Sequence, residues 1–422
     1  VNPQNSPASS GLSLSPFRAV RFTAGDSALG AQFSPPYDVI SAEDRDRLVA
    51  GSDHNTARLI LPSDAEANLG GGDPYAGAAR LLEDWIADGA LAVDAEEALF
   101  VYEMTTVDGE VTRGLVGAVE LRDPADGVIL PHENTMAGPV SDRLALMTAT
   151  EANLEPIFLV YDGGGAASAL VASVSELTPL VDTKTPDGIR HRLWAVVDPS
   201  VLEAIADDLA TRRALIADGH HRYATYRQLQ ANHGGVPGPW DRGLTLLVDT
   251  STYGPQVHPV HRVVAMEWRA LLELTRRAAT VRPIELADAA EALDQTEGFA
   301  VVITNGIDSA LVSQLAPEVV ARGLGADAGT ALGRLDVSVL HRVLVEQVWG
   351  LEDTVDTVGY AHDVAEAITG AQASGGTAVL LRATPVQAVA EVAAAGARMP
   401  RKSTLFTPKP ASGVLFRRFA DQ

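Results

Sequence analysis

At 422 residues the chain is too long for one ordinary hydrophobic core, and 46% hydrophobic with 21% charged residues is a globular composition rather than a disordered one. The net charge of −23, from 32 basic and 55 acidic residues, opposes general binding to nucleic acid or to an anionic membrane face. There is no cysteine, which excludes disulfides, thiol nucleophiles and cysteine-ligated metals. No apolar run reaches membrane-spanning length. Residues 1–15 are polar and Ser/Pro-rich, without the basic and apolar segments of a signal peptide, and read as a flexible leader. The expectation is a soluble cytoplasmic protein that binds neither nucleic acid nor membrane; oligomeric state is not legible.

Residues 17–22 alternate as a strand. Pro35 and Pro36 then fix an extended backbone before Tyr37 and Asp38. Those two residues are candidates to line a pocket, and a tight turn with a packed tyrosine explains them equally. Ser41 caps a helix running to residue 48. Residues 56–61 read as a short strand carrying a charge, Arg58, which is a further pocket candidate. Asp73-Pro74 opens a helix to residue 87. Strands 98–105 and 114–121 are joined across the turn signal Asp108-Gly109. Residues 16–125 thus form an N-terminal α/β region.

A short strand at 128–130 ends in Pro131-His132-Glu133-Asn134-Thr135, where polar chemistry is concentrated. Residues 142–153 read as a helix capped by Ser141, and 156–161 as a buried strand. Gly163-Gly164-Gly165 is a flexible turn and not a phosphate loop, since no Lys-Ser/Thr follows it. Residues 180–197 read as two strands and 200–212 as a helix. Next comes LIADGHHRYATY, residues 215–226: strand, Asp218-Gly219 turn, helix. That order turns backbone N–H groups toward an anion at a helix N-terminus. His220, His221 and Arg222 fall in the first turn, with Arg222 able to grip phosphate bidentately.

The Gly/Pro-rich stretch 234–239 marks a boundary, and 236–422 forms a C-terminal α/β region. Residues 244–249, 300–304 and 378–382 read as strands, and 268–278, 336–349, 363–373 and 385–395 as helices. Residues 257–264 carry His258, His261 and Arg262, but His258 and His261 face opposite sides of a strand-like stretch. The tail carries two of the only three lysines, Lys402 and Lys409, before a final strand at 414–419. In so acidic a chain this basic, prolyl segment is drawn to an anion pocket or is a surface loop; Lys402, Ser403 and Thr404 are its pocket candidates.

Six blocks in order resemble the domain-of-unknown-function 1015 (DUF) family. They are Pro36-Tyr37-Asp38-Val39, Leu130-Pro131-His132-Glu133, Asp142-Arg143-Leu144-Ala145-Leu146, Asn153-Leu154-Glu155-Pro156-Ile157-Phe158, Asp218-Gly219-His220-His221-Arg222-Tyr223, and Met399-Pro400 with Lys402-Ser403-Thr404. More narrowly, Pro131-His132-Glu133, the strand 156–160 and Ile216 to Arg222 resemble the ParB/sulfiredoxin superfamily, most closely its free serine kinases. The resemblance implies an α/β fold with mixed sheets, in which a ParB-like core at 126–235 carries a large insertion at 163–212. Its core strands would be parallel, with ligands at their carboxyl ends. Glu133 and Asp218 are 85 residues apart, about twice the spacing of the small kinases, and the insertion accounts for the excess.

The resemblance implies a nucleotide-dependent small-molecule phosphotransferase or nucleotide phosphate hydrolase, with ATP or ADP as donor and a free amino acid such as serine as the first acceptor to try. Glu133 would be the base. Asp218 and His220 join it as catalytic candidates, and Gly219, His221, Arg222 and His132 as phosphate or nucleotide ligands. Asp218 is the candidate ligand for Mg²⁺. Two alternatives stand beside it: a non-catalytic nucleotide-binding regulatory protein, and a metal-dependent hydrolase using His132, His220 and His221, which lacks the spacing of known zinc motifs.

Overall fold

The structure is a computed structural model in which residues 11–354 and 356–422 are described. The described residues divide into two units, the first made of residues 11–131, 135–255 and 408–422, the second of residues 132–134, 256–354 and 356–407.

The first unit is built on a nine-stranded sheet. Its strands in chain order are β1 (Leu14–Ser15), β2 (Leu99–Thr105), β3 (Val111–Glu120), β4 (Ile129–Leu130), β5 (Ile157–Tyr161), β6 (Val181–Lys184), β7 (Arg190–Val196), β8 (Ala214–Asp218) and β9 (Arg242–Asp249). They lie in the order β4-β8-β5-β9-β3-β2-β7-β6, with β1 paired to β3. Of the expected leader, residues 1–10 lie outside the described residues. Residues 11–15 do not belong to a leader, because Leu14 and Ser15 pair with Val119 and Ala118. The sheet takes strands from all three expected regions, so the borders at 125/126 and 235/236 fall inside one unit. The insertion at 163–212 contributes β6 and β7, and β7 pairs with β2 of the N-terminal hairpin.

Strand direction differs from the expectation of a parallel core. β4 runs parallel to β8 and β5 parallel to β9, but β8 and β5 are antiparallel. A continuous apolar run such as Leu215 to Ala217 shows that both faces are buried, and says nothing of the neighbour's direction. The core on these strands includes Val101, Leu115, Ile129, Leu159, Ile216 and Leu247, none more than 1% exposed. Burial on that scale is the main favourable contribution to folding.

Four helices frame the site: α1 (Ala42–Gly51), α2 (Pro74–Ala87), α3 (Ala137–Thr150) and α4 (His220–Asn232). α1 begins in a full capping box between Ser41 and Asp44, and α2 in an Asp73 cap with Pro74 behind it. Residues 56–61, expected as a strand, contain the short helix Ala57–Ile60. Polar side chains just before it set the turn: Asn55 Oδ1 accepts from the Ala57 N–H at 2.9 Å, and Thr56 Oγ1 donates to Gln32 O at 2.8 Å. The expected final strand is reduced to Arg417–Arg418, paired with Ala152–Asn153.

The first unit also encloses a histidine, His191, 2% exposed, whose Nδ1 and Nε2 lie 2.8 Å from Tyr102 Oη and 3.0 Å from Thr185 Oγ1. Burial pushes its imidazole down from 6.5 to about 4. The folded chain therefore resists a proton that the unfolded chain accepts. Stability should fall as pH drops from about 6.5 to about 4, by up to about 1.4 kcal/mol per unit. In an NMR titration the His191 ring should titrate near 4; a midpoint near 6.5 would show that the ring is solvated.

The second unit carries a six-stranded antiparallel sheet of β10 (His261–Val264), β11 (Thr280–Ile284), β12 (Ala300–Thr304), β13 (Ser309–Ser313), β14 (Val358–Ala361) and β15 (Thr377–Leu380), ordered β11-β13-β12-β15-β10-β14. Residues 257–264 are not one strand. Gln256–His258 pairs with Leu405–Thr407, while β10 joins the main sheet after Pro259. The helix expected over 336–349 is one α-turn, Asp336–Val339, continued as a π-helix over Leu340–Val348. No helix among the described residues is long and apolar enough to cross a membrane.

Candidate functional site

In the first unit, β8 ends at Asp218, opposite Phe158 of β5, after a register shift between Ile216 and Asp218. The bulge leaves Ala217 out of the register and re-aims the strand end at Asp218. Gly219 then takes φ of 90° and starts the thirteen-residue α4. A Cβ on Gly219 would stand 3.2 Å from both Arg222 Nε and Ile157 Cγ2. Only glycine meets both conditions without strain. Gly219→Ala should cost about 1–2 kcal/mol in urea unfolding; an unchanged midpoint would mean that the turn relaxes freely.

Arg222 does not face an outward anion as expected from the sequence. Its side chain is 3% exposed; Nη2 donates to Asp218 Oδ2 at 2.5 Å and Nη1 donates to Pro156 O. The physical reason is local: the Asp218 carboxylate at the end of β8 and the Pro156 carbonyl both accept from its guanidinium, which lies where α4 packs on the sheet. Burial alone would lower the guanidinium pKa, but the carboxylates of Glu155, Asp218 and Asp38 outweigh it and hold the group above its usual range. His220 is also buried, at 6%. His221 Nε2 accepts from the Met136 N–H at 3.0 Å, at the start of α3.

Around Arg222 lies a network that spans the first unit. Glu155 Oε1 accepts from the Tyr37 N–H at 3.0 Å and from Ser412 Oγ at 3.1 Å. Arg143 Nη1 stands 3.6 Å from Glu155 Oε2, and its guanidinium lies 4.2 Å above the Tyr37 ring. Burial pushes the Tyr37 phenol up to about 12. Arg143, Glu155, Arg222 and Tyr226 line a cavity of about 20 Å³, the size of one water molecule. Arg58, a pocket candidate, is instead held by Glu66 at 2.9 Å, and Glu66 is 1% exposed.

Tyr37 and Asp38 do join the Asp218 turn. Lys409 Nζ lies 2.6 Å from Asp218 Oδ1 and 3.1 Å from Asp38 Oδ2. Burial would lower the Lys409 pKa, but the two carboxylates raise it, so the ammonium stays charged. This bears on the expected Mg²⁺. Both oxygens of Asp218 are already taken by cations, Lys409 and Arg222. With a cation on each oxygen, a metal ion at Asp218 would stand against two fixed positive charges, and that donor set does not fit it. Among the described residues no group of three or more His, Cys, Asp or Glu is placed to hold a metal.

His132 and Glu133 belong to the second unit. His132 is 2% exposed, with Nε2 3.0 Å from Thr404 Oγ1 and its carbonyl accepting from the Met399 N–H at 2.8 Å. Glu133 Oε1 accepts from the Lys402 N–H at 2.8 Å. Lys402 has φ of 52°, left-handed for a non-glycine residue, and that conformation presents its N–H to Glu133. The Lys402 side chain is exposed, so its backbone, and not its charge, serves this cluster. Ser403 Oγ donates to Pro400 O at 2.5 Å and closes the same loop.

Arg262, fully buried, stands behind. Its Nε donates to His341 Nε2 at 2.9 Å, which leaves His341 Nδ1–H to donate to Asp353 Oδ2 at 2.9 Å. Burial lowers the Arg262 pKa to about 10, while Tyr360, Asp353 and Glu133 pull it upward. His261 Nδ1 accepts from the Leu381 N–H at 3.2 Å.

The candidate residues therefore fall into two groups: Tyr37, Asp38, Asp218, Gly219, His220, His221 and Arg222 in the first unit, and His132, Glu133, Lys402, Ser403 and Thr404 in the second. A metal hydrolase site drawn from His132, His220 and His221 would have to take its ligands from both. Site residues missed from the sequence are Arg143, Glu155, Arg262, His341, Asp353 and the placement of Lys409. A signal existed for two of them: Glu155 and Arg262 are charges in largely apolar stretches, where an isolated charge is costly unless paired.

Residues 14–338 match the family described as Protein of unknown function (DUF1015). No curated protein matches the chain. Among solved structures the chain is similar to a free serine kinase in complex with AMP, at 15% identity over 66% of this chain and 83% of that one, with a TM-score of 0.34. It is similar to a conserved hypothetical protein from Pyrococcus furiosus, at 15% identity over 69% of this chain and 93% of that one, with a TM-score of 0.35. It is also similar to SbnI with C-terminal truncation from Staphylococcus aureus, at 11% identity over 70% of this chain and 85% of that one, with a TM-score of 0.36.

Proposed function

The chain belongs to the DUF1015 family of proteins of unknown function, and from that premise we propose that it is a nucleotide-dependent phosphotransferase acting on a small hydroxyl-bearing molecule. The observation that carries the reading is the Gly219 turn, where β8 delivers the chain into the N-terminus of α4 with Lys409 ion-paired 2.6 Å from Asp218. A helix start favours phosphate through its aligned dipoles and N–H groups. At the same turn Lys409 and Arg222 offset the carboxylates of Asp218 and Asp38, which would otherwise repel a phosphate. Arg222 orients this turn from behind, through Asp218, and does not contact the phosphates.

The chemistry then asks for a group to take the hydroxyl proton. The resemblance of Pro131-His132-Glu133 to the free serine kinase motif implies that role for Glu133, whose Oε1 accepts from the Lys402 N–H. ATP or ADP is the donor class and a hydroxyl-bearing amino acid such as serine the first acceptor to test. A second reading, a nucleotide-binding regulatory protein, is favoured by one observation. Asp218, one of the catalytic candidates, is ion-paired with both Lys409 and Arg222.

Phosphorus NMR of the purified protein with ATP or ADP, Mg²⁺ and a pool of hydroxyl-bearing amino acids tests the proposal. A new phosphomonoester resonance is the expected result and identifies the acceptor. Free phosphate alone would make the protein a hydrolase. No turnover with retained nucleotide binding would establish the regulatory reading.

A further inference from the structure

We infer that Lys409 is the resident cation of the Asp38–Asp218 pair and holds the position that a divalent metal ion would otherwise take there. One nitrogen lies 2.6 Å from Asp218 Oδ1 and 3.1 Å from Asp38 Oδ2, so the two carboxylates converge on a single point. Carboxylates converging in this way are how proteins hold small divalent cations. Here the point is filled from within the chain. The lysine side chain is 15% exposed and the Asp218 side chain 13%. With Arg222 on the other Asp218 oxygen, two carboxylates face two cations, and the cluster is neutral before any ligand arrives.

The backbone is built to hold this arrangement. Lys409 stands between Pro408 and Pro410, both buried, and Asp38 follows Pro35 and Pro36. Proline on either side removes much of the freedom such a segment would lose on ordering. The two segments are laced together: Ser412 N–H donates to Ser34 O at 2.8 Å, and Ser34 N–H donates to Ser412 O at 3.1 Å. The Ala411 N–H donates to Tyr102 Oη at 3.4 Å. A mobile surface lysine would need none of these contacts. A divalent ion entering this site would have to displace an ammonium fixed on both sides, beside the buried Arg222 charge.

The test is Mn²⁺ binding to nucleotide-free protein, followed by the electron paramagnetic resonance of free Mn²⁺. Wild type and Asp218→Asn should bind Mn²⁺ alike, because the rest of an acidic surface is common to both. Lys409→Met should gain one site at least about tenfold tighter than any in wild type, since the blocking charge is gone. The double variant Lys409→Met with Asp218→Asn should lose that site again. Mn²⁺ binding by wild type that disappears in Asp218→Asn would overturn the inference, as would a folded Lys409→Met protein with no added site. Should Lys409→Met fail to fold, the wild-type and Asp218→Asn pair decides alone: equal binding supports the inference and loss in Asp218→Asn overturns it. The readout is bound metal without nucleotide or turnover, so its failure leaves the phosphotransferase reading standing, and the reverse holds too.

Discussion

Glu133→Gln is expected to lower phosphoryl transfer by about 10²–10⁴-fold, the usual contribution of a positioned general base. The substitution keeps the shape of the side chain and an oxygen that can still accept the Lys402 N–H, a bond of 2.8 Å in the native protein. Folding and nucleotide affinity should therefore stay close to wild type, and the loss should appear in kcat and not in KM. Lys402→Gly is the companion control. It keeps the N–H and relieves a φ of 52°, so it should retain activity although a charged side chain is lost. Wild-type turnover in Glu133→Gln would remove Glu133 from the chemistry. If neither protein turns over and both bind nucleotide, the regulatory reading replaces the enzymatic one.

Arg222→Ala should cost about 3–5 kcal/mol of stability, as expected when one partner of a buried ion pair is removed. The side chain is 3% exposed and bonds Asp218 and Pro156 O, with Glu155 close enough to raise its pKa. Its loss takes one of two cations from Asp218 and a cation from beside Glu155. Urea unfolding reads the effect directly. A guanidinium that gripped phosphate would behave differently: Arg222→Ala would then fold as well as wild type and lose only nucleotide affinity. That outcome would restore the direct phosphate contact expected from the sequence motif.

Much of the local structure was legible because its causes are local. Ser41, Asp73-Pro74 and Asp108-Gly109 are caps and turns whose side chains act within a few residues of themselves. The strand, turn and helix around Asp218-Gly219 were legible for the same reason, down to the need for glycine. Failures came where the cause lies elsewhere in the chain. Residues 56–61 look β-forming by composition, but Asn55 and Thr56 bond the backbone around residues 31–33 and set a helical turn. Strand direction was not legible in Leu215 to Ala217, because burial on both faces does not depend on it. Arg222 was misplaced because its partners, Asp218 at the end of β8 and the Pro156 carbonyl before β5, are brought to it by the Gly219 turn and the sheet, and no helical spacing relates them. The position of Lys409 was not legible, since no local pattern ties the tail to residues 38 and 218. The π-helix over Leu340–Val348 has no sequence signature that separates it from an α-helix.

The interleaving of the two units has a consequence for the order in which the protein can be completed. Domains generally fold as their residues leave the ribosome, from the N-terminus onward. Here residues 256–407 are all made before residues 408–422, which belong to the first unit. Until that last piece emerges, the first unit lacks Phe416, which is fully buried and bonds Val20, and Lys409, the partner of Asp38 and Asp218. During synthesis the Asp218 turn would form before Lys409 is available to it. A chain truncated before residue 408 should therefore leave the first unit loose and open to protease, so that the Asp38–Asp218 pair gains its lysine only after the second unit has been made.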